Sequence, residues 1–299
     1  MSNKNVLAWR RTEAISGYLF LTPIFLLMSV FVFYCIFFVF KVSFYKWDGI
    51  DPAMMKFRGL RNYTLLFTDP VFFTAVRNVV IFMVLTIIFQ MSLGLLVAVL
   101  LRPKLRGHSL FKAIFYIPSA LSTTVIARIF IGVYEPNFGI LNHALSWFGL
   151  ETLARNWLGD PTTALYAIIF ANIFQWMGAQ MVFYIAGLTA VRDDLFEAAQ
   201  IDGAGFWRTL FHIVIPLLMP THTTVIVLGI IGAVKTFDIV WLLTQGGPGT
   251  SSQFLATMLY KTSVNESSAG YGATIGVIMI FLCIGLSAVQ LKVYQRSNR

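Results

Sequence analysis

The chain has 299 residues, of which 58% are hydrophobic and only 12% charged, and its mean hydropathy is +0.76. Ordinary soluble domains carry about 25% charged residues, so composition excludes a soluble enzyme or binding module and points to an all-α polytopic membrane protein. The net charge of +9 fits basic loops on one side of a bilayer better than nucleic-acid binding, and no nucleic-acid partner is expected.

Charge-free runs mark six expected membrane helices: 14–40, 78–101, 113–134 (interrupted only by Arg128), 161–191, 209–234 and 267–290. Each is long enough to cross about 30 Å of hydrocarbon as a continuous helix. The first follows Arg10 and Arg11 as a signal peptide would. It is too long for a signal core and lacks a small-residue cleavage site, so an uncleaved helix is expected. Cys35 and Cys283 sit in separate apolar runs, which predicts free, buried thiols.

Six helices place both termini on one side. Lys4, Arg10 and Arg11, then Arg102, Lys104, Arg106 and Lys112, then Lys292, Arg296 and Arg299 cluster at the same ends, which predicts an N-in, C-in orientation. The outer loops are then about 41–77, 135–160 and 235–270. No internal repeat or soluble module interrupts the pattern, so one domain over 1–299 is expected.

The most informative stretch is 194–220. Asp194 and Glu197 have the spacing of a capping box, Leu195 to Ile201 form a short amphipathic helix, and Gly203 is placed to end it in a left-handed cap. Pro216 and Pro220 then open the next span. So short a helix is unstable alone in water. It needs its own membrane domain, the lipid headgroups or a partner's groove to pack on.

The motif residues Glu197-Ala198-Ala199, Gly203 and Ile213-Val214-Ile215-Pro216 closely resemble the cytoplasmic coupling loop, here about 192–216, of permease subunits of bacterial ABC importers. Ile215 stands where that family usually has leucine. Further motifs are similar to the carbohydrate-uptake class, the maltose and glycerol-phosphate type: Y-L-F-L-T-P at 18–23, S-F-Y-K-W-D at 43–48, F-R-G-L-R-N-Y at 57–63, N-F-G-I-L-N at 137–142, L-T-Q-G-G-P at 243–248 and Tyr271-Gly272. Each is weak alone, and their order along the chain gives them weight. The form resembles the first of the two paired permeases of such systems.

No phosphate-binding glycine loop, HExxH, paired-cysteine zinc spacing or GxSxG occurs, and the four histidines are scattered. No metal site and no enzyme are expected. No Asp or Glu falls within a predicted span, so energy comes from another polypeptide or transport is passive. The residues alone leave a self-contained channel or facilitator, or a non-transporting scaffold, as alternatives. The resemblance implies a type I importer fold with a separate ATPase docking on Asp194, Glu197, Ala198, Ala199, Asp202, Gly203, Ile213 and Pro216. It also implies ATP and Mg bound by two such cytoplasmic ATPase subunits, a second homologous permease, and an extracytoplasmic solute-binding protein meeting Gly246, Gly247 and Pro248.

Polar groups inside spans are costly and tend to face a cavity or another helix. On helix 4, Asn172, Gln175 and Trp176 are read as sharing one side by helical spacing, with Gln180 nearby. The outer end of helix 5 adds Lys235, Thr236, Phe237 and Asp238. Planar amides with an aromatic platform suit a polyhydroxylated sugar. Asn172 is also similar in position to a sugar-contacting asparagine of maltose-type permeases. Arg128 either snorkels outward near Glu135 or lines the path, and with Lys235 it would favour an anionic cargo. Gly229 and Gly232 read as close-packing sites.

Overall fold

The computed structural model describes Tyr18, residues 20–101 and residues 107–297. Lys4, Arg10, Arg11, Arg102, Lys104, Arg106 and Arg299, on which the expected orientation rests, lie outside the described residues, as does the beginning of the first span.

The first helix, α1 (Phe20–Val42), leads into a short antiparallel hairpin of β1 (Tyr45–Lys46) and β2 (Lys56–Phe57). Then come α2 (Arg61–Leu66), α3 (Pro70–Leu100), α4 (His108–Ala120), α5 (Thr123–Val133), α6 (Ile140–Trp147) and α7 (Ala164–Thr189). The chain continues through α8 (Asp193–Ile201), α9 (Phe206–Leu217), α10 (Met219–Lys235), α11 (Asp238–Leu243), α12 (Leu255–Tyr260) and α13 (Ala269–Ser297). Among the described residues, α1, α3, α7 and α13 are long and apolar enough to cross a membrane, and the bent pairs α4–α5 and α9–α10 bring the number to six if each pair is one span.

Those two pairs correct the expectation of unbroken helices over 113–134 and 209–234. α4 and α5 meet at 94°. Pro118 removes one rung near the end of α4, Leu121 is extended, and the Ser122 hydroxyl caps α5 by accepting from the Val125 N–H. α9 and α10 meet at 72°, with Leu218 at the bend between Pro216 and Pro220. A π turn precedes the bend, the Ile215 N–H reaching back to the Leu210 carbonyl. The other difference is where α3 starts. Asp69 accepts from the Val71 N–H at 2.8 Å with Pro70 in the first turn, so the helix begins before the charge-free run does.

The chain divides into two compact units, Met1–Leu66 with Thr262–Val277, and Phe67–Lys261 with Ile278–Arg299. In the first, the hydropathic α1 buries none of its most apolar window, leaving a surface suited to hydrocarbon or another chain. Asn62 knots the segment after it, donating to the Ser43 and Tyr45 carbonyls at 2.8 and 2.9 Å, while Tyr63 bonds the Ser43 hydroxyl at 2.8 Å. Two of the family-like motifs therefore meet in one turn-rich structure. Cys35 is exposed and Cys283 half-buried, both free. The expected burial fails because apolar runs here face outward as often as inward.

The second unit is built on α7, which packs against α3, α4 and α10. Lipid offers apolar side chains no gain from escaping water, so association rests on close approach and polar bonds. Both are present. A Cβ added at Gly178 would lie 2.0 Å from the Phe115 carbonyl oxygen of α4. Beside it the Ser119 hydroxyl donates to the Gln175 carbonyl at 2.6 Å and accepts from the Ala179 N–H at 3.1 Å. Further along α7, buried Tyr184 bonds His222 Nδ1 of α10 at 2.7 Å, next to a core of Leu95, Ala98, Met181, Leu188, Leu210 and Val214.

Candidate functional site

The structure places the sequence-selected residues in three regions of the second unit. The first is the surface loop holding α8. Its N-cap is Arg192, not Asp194; Asp193 and Asp194 fall in the first turn, where the helix dipole favours acids. Asp194 is engaged by the Arg192 guanidinium at 2.6 and 3.1 Å, so the expected capping box is absent. The C-terminal expectation holds: Gly203 has φ +71°, its N–H bonds the Gln200 carbonyl at 3.1 Å, and the Ala204 N–H bonds the Ala199 carbonyl at 2.8 Å. This is a Schellman turn. Glu197, Ala198 and Asp202 are exposed, but Ala199, placed in the same docking set by the resemblance, is buried at 6%. Ile213 is half-buried within the π turn and Pro216 exposed. Leu195, Ile201 (86% exposed) and Trp207 give the loop an apolar outer surface.

The second region is a cavity of about 330 Å³ walled by α3, α7 and α10. Asn172, Trp176, Gln180 and Thr236 line it. Gln175 does not. It lies about 100° from Trp176 around a helix with 3.6 residues per turn. Its amide instead donates to the Thr123 hydroxyl at 3.2 Å, on the α4–α5 side. Lys235, Phe237 and Asp238 are also outside the wall. Phe237 stacks on Trp241 at 5.5 Å and meets Tyr260 at 5.3 Å, while Lys235 and Asp238 are not part of the cavity lining. Arg128 is exposed on α5, and the Glu135 carboxylate accepts from the Asn137 and Phe138 N–H groups of its own turn. Gly229 and Gly232 line the cavity; Gly229 is also a close-packing site, as read, since an added Cβ would lie 2.7 Å from the Ile87 side chain, whereas one at Gly232 meets nothing within 4 Å.

Sequence reasoning missed Gln90 of α3, which also lines this cavity. Its Nε2 donates to the Asn172 carbonyl at 3.2 Å and to Asn172 Oδ1 at 3.0 Å. The available signal was an amide inside a charge-free run, where an unsatisfied polar group is costly. Asn78, passed over in the same way, organises the third region.

That region is the loop around Gly246. Gly246 is buried and Gly247 and Pro248 are half-buried, while Gly249 and Thr250 form the exposed tip. The Ser252 hydroxyl donates to the Gly247 carbonyl at 2.5 Å and bonds the Thr244 hydroxyl at 2.7 Å. From α3, the fully buried Asn78 donates to the Ser251 and Gln253 carbonyls at 2.8 and 3.0 Å. Among the described residues, no cluster of three or more His, Cys, Asp or Glu could hold a metal.

A helical membrane unit with broken spans, a surface helix between two of them and a small, mostly apolar cavity carrying a few amides is an architecture suited to a membrane permease. The chain belongs to the family described as binding-protein-dependent transport system inner membrane component, which it matches over residues 90–299. It is 37% identical over 280 residues to the probable ABC transporter permease protein YurN of Bacillus subtilis (strain 168), covering 93% of this chain and 95% of that one. It is 32% identical to the trehalose/maltose transport system permease protein MalF of Thermococcus litoralis, covering 98% of each. In fold it matches a chain of a bacterial alginate ABC transporter, solved in complex with an alginate pentasaccharide-bound periplasmic protein, with TM-score 0.83, 20% identity, and 97% and 98% of the two chains covered.

Proposed function

We propose that this chain, acting as one permease domain over 1–299, moves a mono- or oligosaccharide across a bacterial cytoplasmic membrane by alternating access. The carrying observation is α8, nine residues long and closed at its C-terminal end by the Gly203 turn, with Glu197, Ala198 and Ile201 outward. An apolar face that its own chain leaves uncovered suits a partner's groove.

In this reading α8 lies on the cytoplasmic side with both termini. Asp194, Glu197, Ala198, Asp202, Gly203, Ile213 and Pro216 present the loop to a cytoplasmic ATPase, two copies of which bind ATP and Mg. The chain itself holds no cofactor and no nucleotide. A second homologous permease completes the path, and a solute-binding protein delivers cargo to the Gly246–Pro248 loop at its exposed tip. Asn172, Trp176, Gln180 and Thr236 meet the cargo. Support for sugar comes from the names of relatives such as the trehalose/maltose permease.

The test is a mild-detergent pull-down of the tagged chain from its own cells, with mass spectrometry of what accompanies it. A second six-span protein and an ATPase are expected, the ATPase being lost on Glu197→Lys. A chain that purifies alone and carries solute without ATP would replace this reading with a passive facilitator.

A further inference from the structure

The cavity wall carries polar groups but no charge: among the described residues, no Asp, Glu, Lys, Arg or His lines it. The Thr86 hydroxyl donates to the Phe82 carbonyl at 2.7 Å and the Thr236 hydroxyl to the Gly232 carbonyl at 2.8 Å, which leaves only their lone pairs for a ligand. Gln180 Oε1 is buried with no partner, a third acceptor, while the same amide's N–H groups and the Trp176 indole N–H are neutral donors. Asn172 is a further donor. Gln90 occupies the Asn172 side-chain oxygen, so the Nδ2 protons remain for the cavity. Trp176 adds an apolar face.

Resting on the sugar-importer reading, we infer that this cavity selects uncharged, hydroxyl-rich cargo against anionic sugars, and that Gln90 is a positioning residue that fixes Asn172 as its donor. A hydroxyl donates to Gln180, Thr86 or Thr236 and accepts from Asn172. A carboxylate or phosphate only accepts; it would meet neutral N–H donors alone and leave water with no cation to balance its charge. Arg128 and Lys235, the cations that an anionic path would use, are outside the wall.

The experiment uses the purified four-subunit complex with its binding protein in proteoliposomes. It compares ATP-driven uptake of labelled neutral pentose and hexose oligosaccharides with uronic-acid oligosaccharides of equal length. Neutral uptake at least about tenfold faster is expected. Comparable or faster uronate uptake would overturn the inference and leave the sugar reading intact, whereas uptake of neither pool would defeat the sugar reading itself.

Gln180→Lys separates the cavity's choice from that of the binding protein. The uronate-to-neutral ratio should rise about tenfold, the scale of one buried polar contact; an unchanged ratio would assign selectivity elsewhere. For Gln90, the rates of Gln90→Leu, Asn172→Ala and the double variant form a cycle in complexes verified to be assembled. Each single change should lower neutral uptake about tenfold, and the double variant should be no slower than Asn172→Ala. Multiplying losses would show that Gln90 does not act through Asn172.

Discussion

The loop around α8 and the loop around Gly246 are both glycine-turned surface segments, yet they are held in opposite ways. The first is closed by its own backbone, through the Gln200 and Ala199 carbonyls and an exposed Arg192–Asp194 pair. The second is fastened from outside by Asn78 of α3, and Ser252, Gln253 and Phe254 beneath it are essentially inaccessible. A locally closed segment can move as a piece without breaking long-range bonds. A segment bonded into a helix moves only with that helix. The first arrangement suits a part that is pushed, and the second a fixed ledge on which something lands.

The contrast can be broken most severely at Gly246. It has φ +85°, and an added Cβ would lie 2.1 Å from the side-chain oxygen of buried Gln253, which Lys261 also holds. Gly246→Ala should cost about 3 kcal/mol, combining left-handed strain with overpacking, read as a lower unfolding temperature of the detergent-solubilised chain. Asn78→Leu takes the amide donor from the buried Gln253 carbonyl and the half-buried Ser251 carbonyl. It should cost about 2–3 kcal/mol by the same melt, and an unchanged melt would show that the ledge does not depend on α3.

Gly203 behaves differently. An added Cβ there meets nothing within 4 Å, so only φ +71° resists substitution. Gly203→Val should cost about 1–2 kcal/mol and abolish uptake while membrane insertion persists. Gly203→Asn, which tolerates the left-handed region, should retain most uptake; equal loss in both would mean that side-chain bulk rather than backbone matters. Arg192→Ala removes a pair whose side chains are 80% and 54% exposed, and stability should change by less than about 0.5 kcal/mol.

The smallest effect lies at Asp160, in the segment before α7. The Thr162 N–H, then its hydroxyl, hold the Asp160 carboxyl below its usual range. The resulting stabilisation is present above the unfolded carboxylate value of about 3.9 and is lost as pH falls through the lowered folded value. Melts of the native chain and Asp160→Asn should therefore converge in acid and differ slightly at neutral pH.

The spans were legible because charge is intolerable in hydrocarbon, so its absence marks them directly. Their breaks were not, since Pro118 and Pro216 sit inside runs whose hydropathy continues across the bend. The end of α8 was legible through Gly203, whose turn is local. Its start was misread because an Asp three residues before a Glu looks like a cap even when Arg192 supplies the extended residue. Asn172 and Gln180, which line the cavity, stood out as polar groups in a span, Trp176 as an aromatic beside them, and Thr236 as a polar group at the outer end of the next. Gln175 was misplaced by half a face, and Gln90 belonged to a helix whose amides drew no notice. The pairing of Gln90 with Asn172 joins residues on two helices, and no periodicity in either one reports it.

The hydroxyl of Ser119 has a consequence for heredity. It sits on a rung of α7 between the Gln175 carbonyl and the Ala179 N–H, on the turn that also carries Trp176. Threonine keeps both the donor and the acceptor; alanine removes both. On the proposed sugar path, a screen for mutants with altered cargo choice would therefore recover substitutions at position 119, a residue outside the cavity wall.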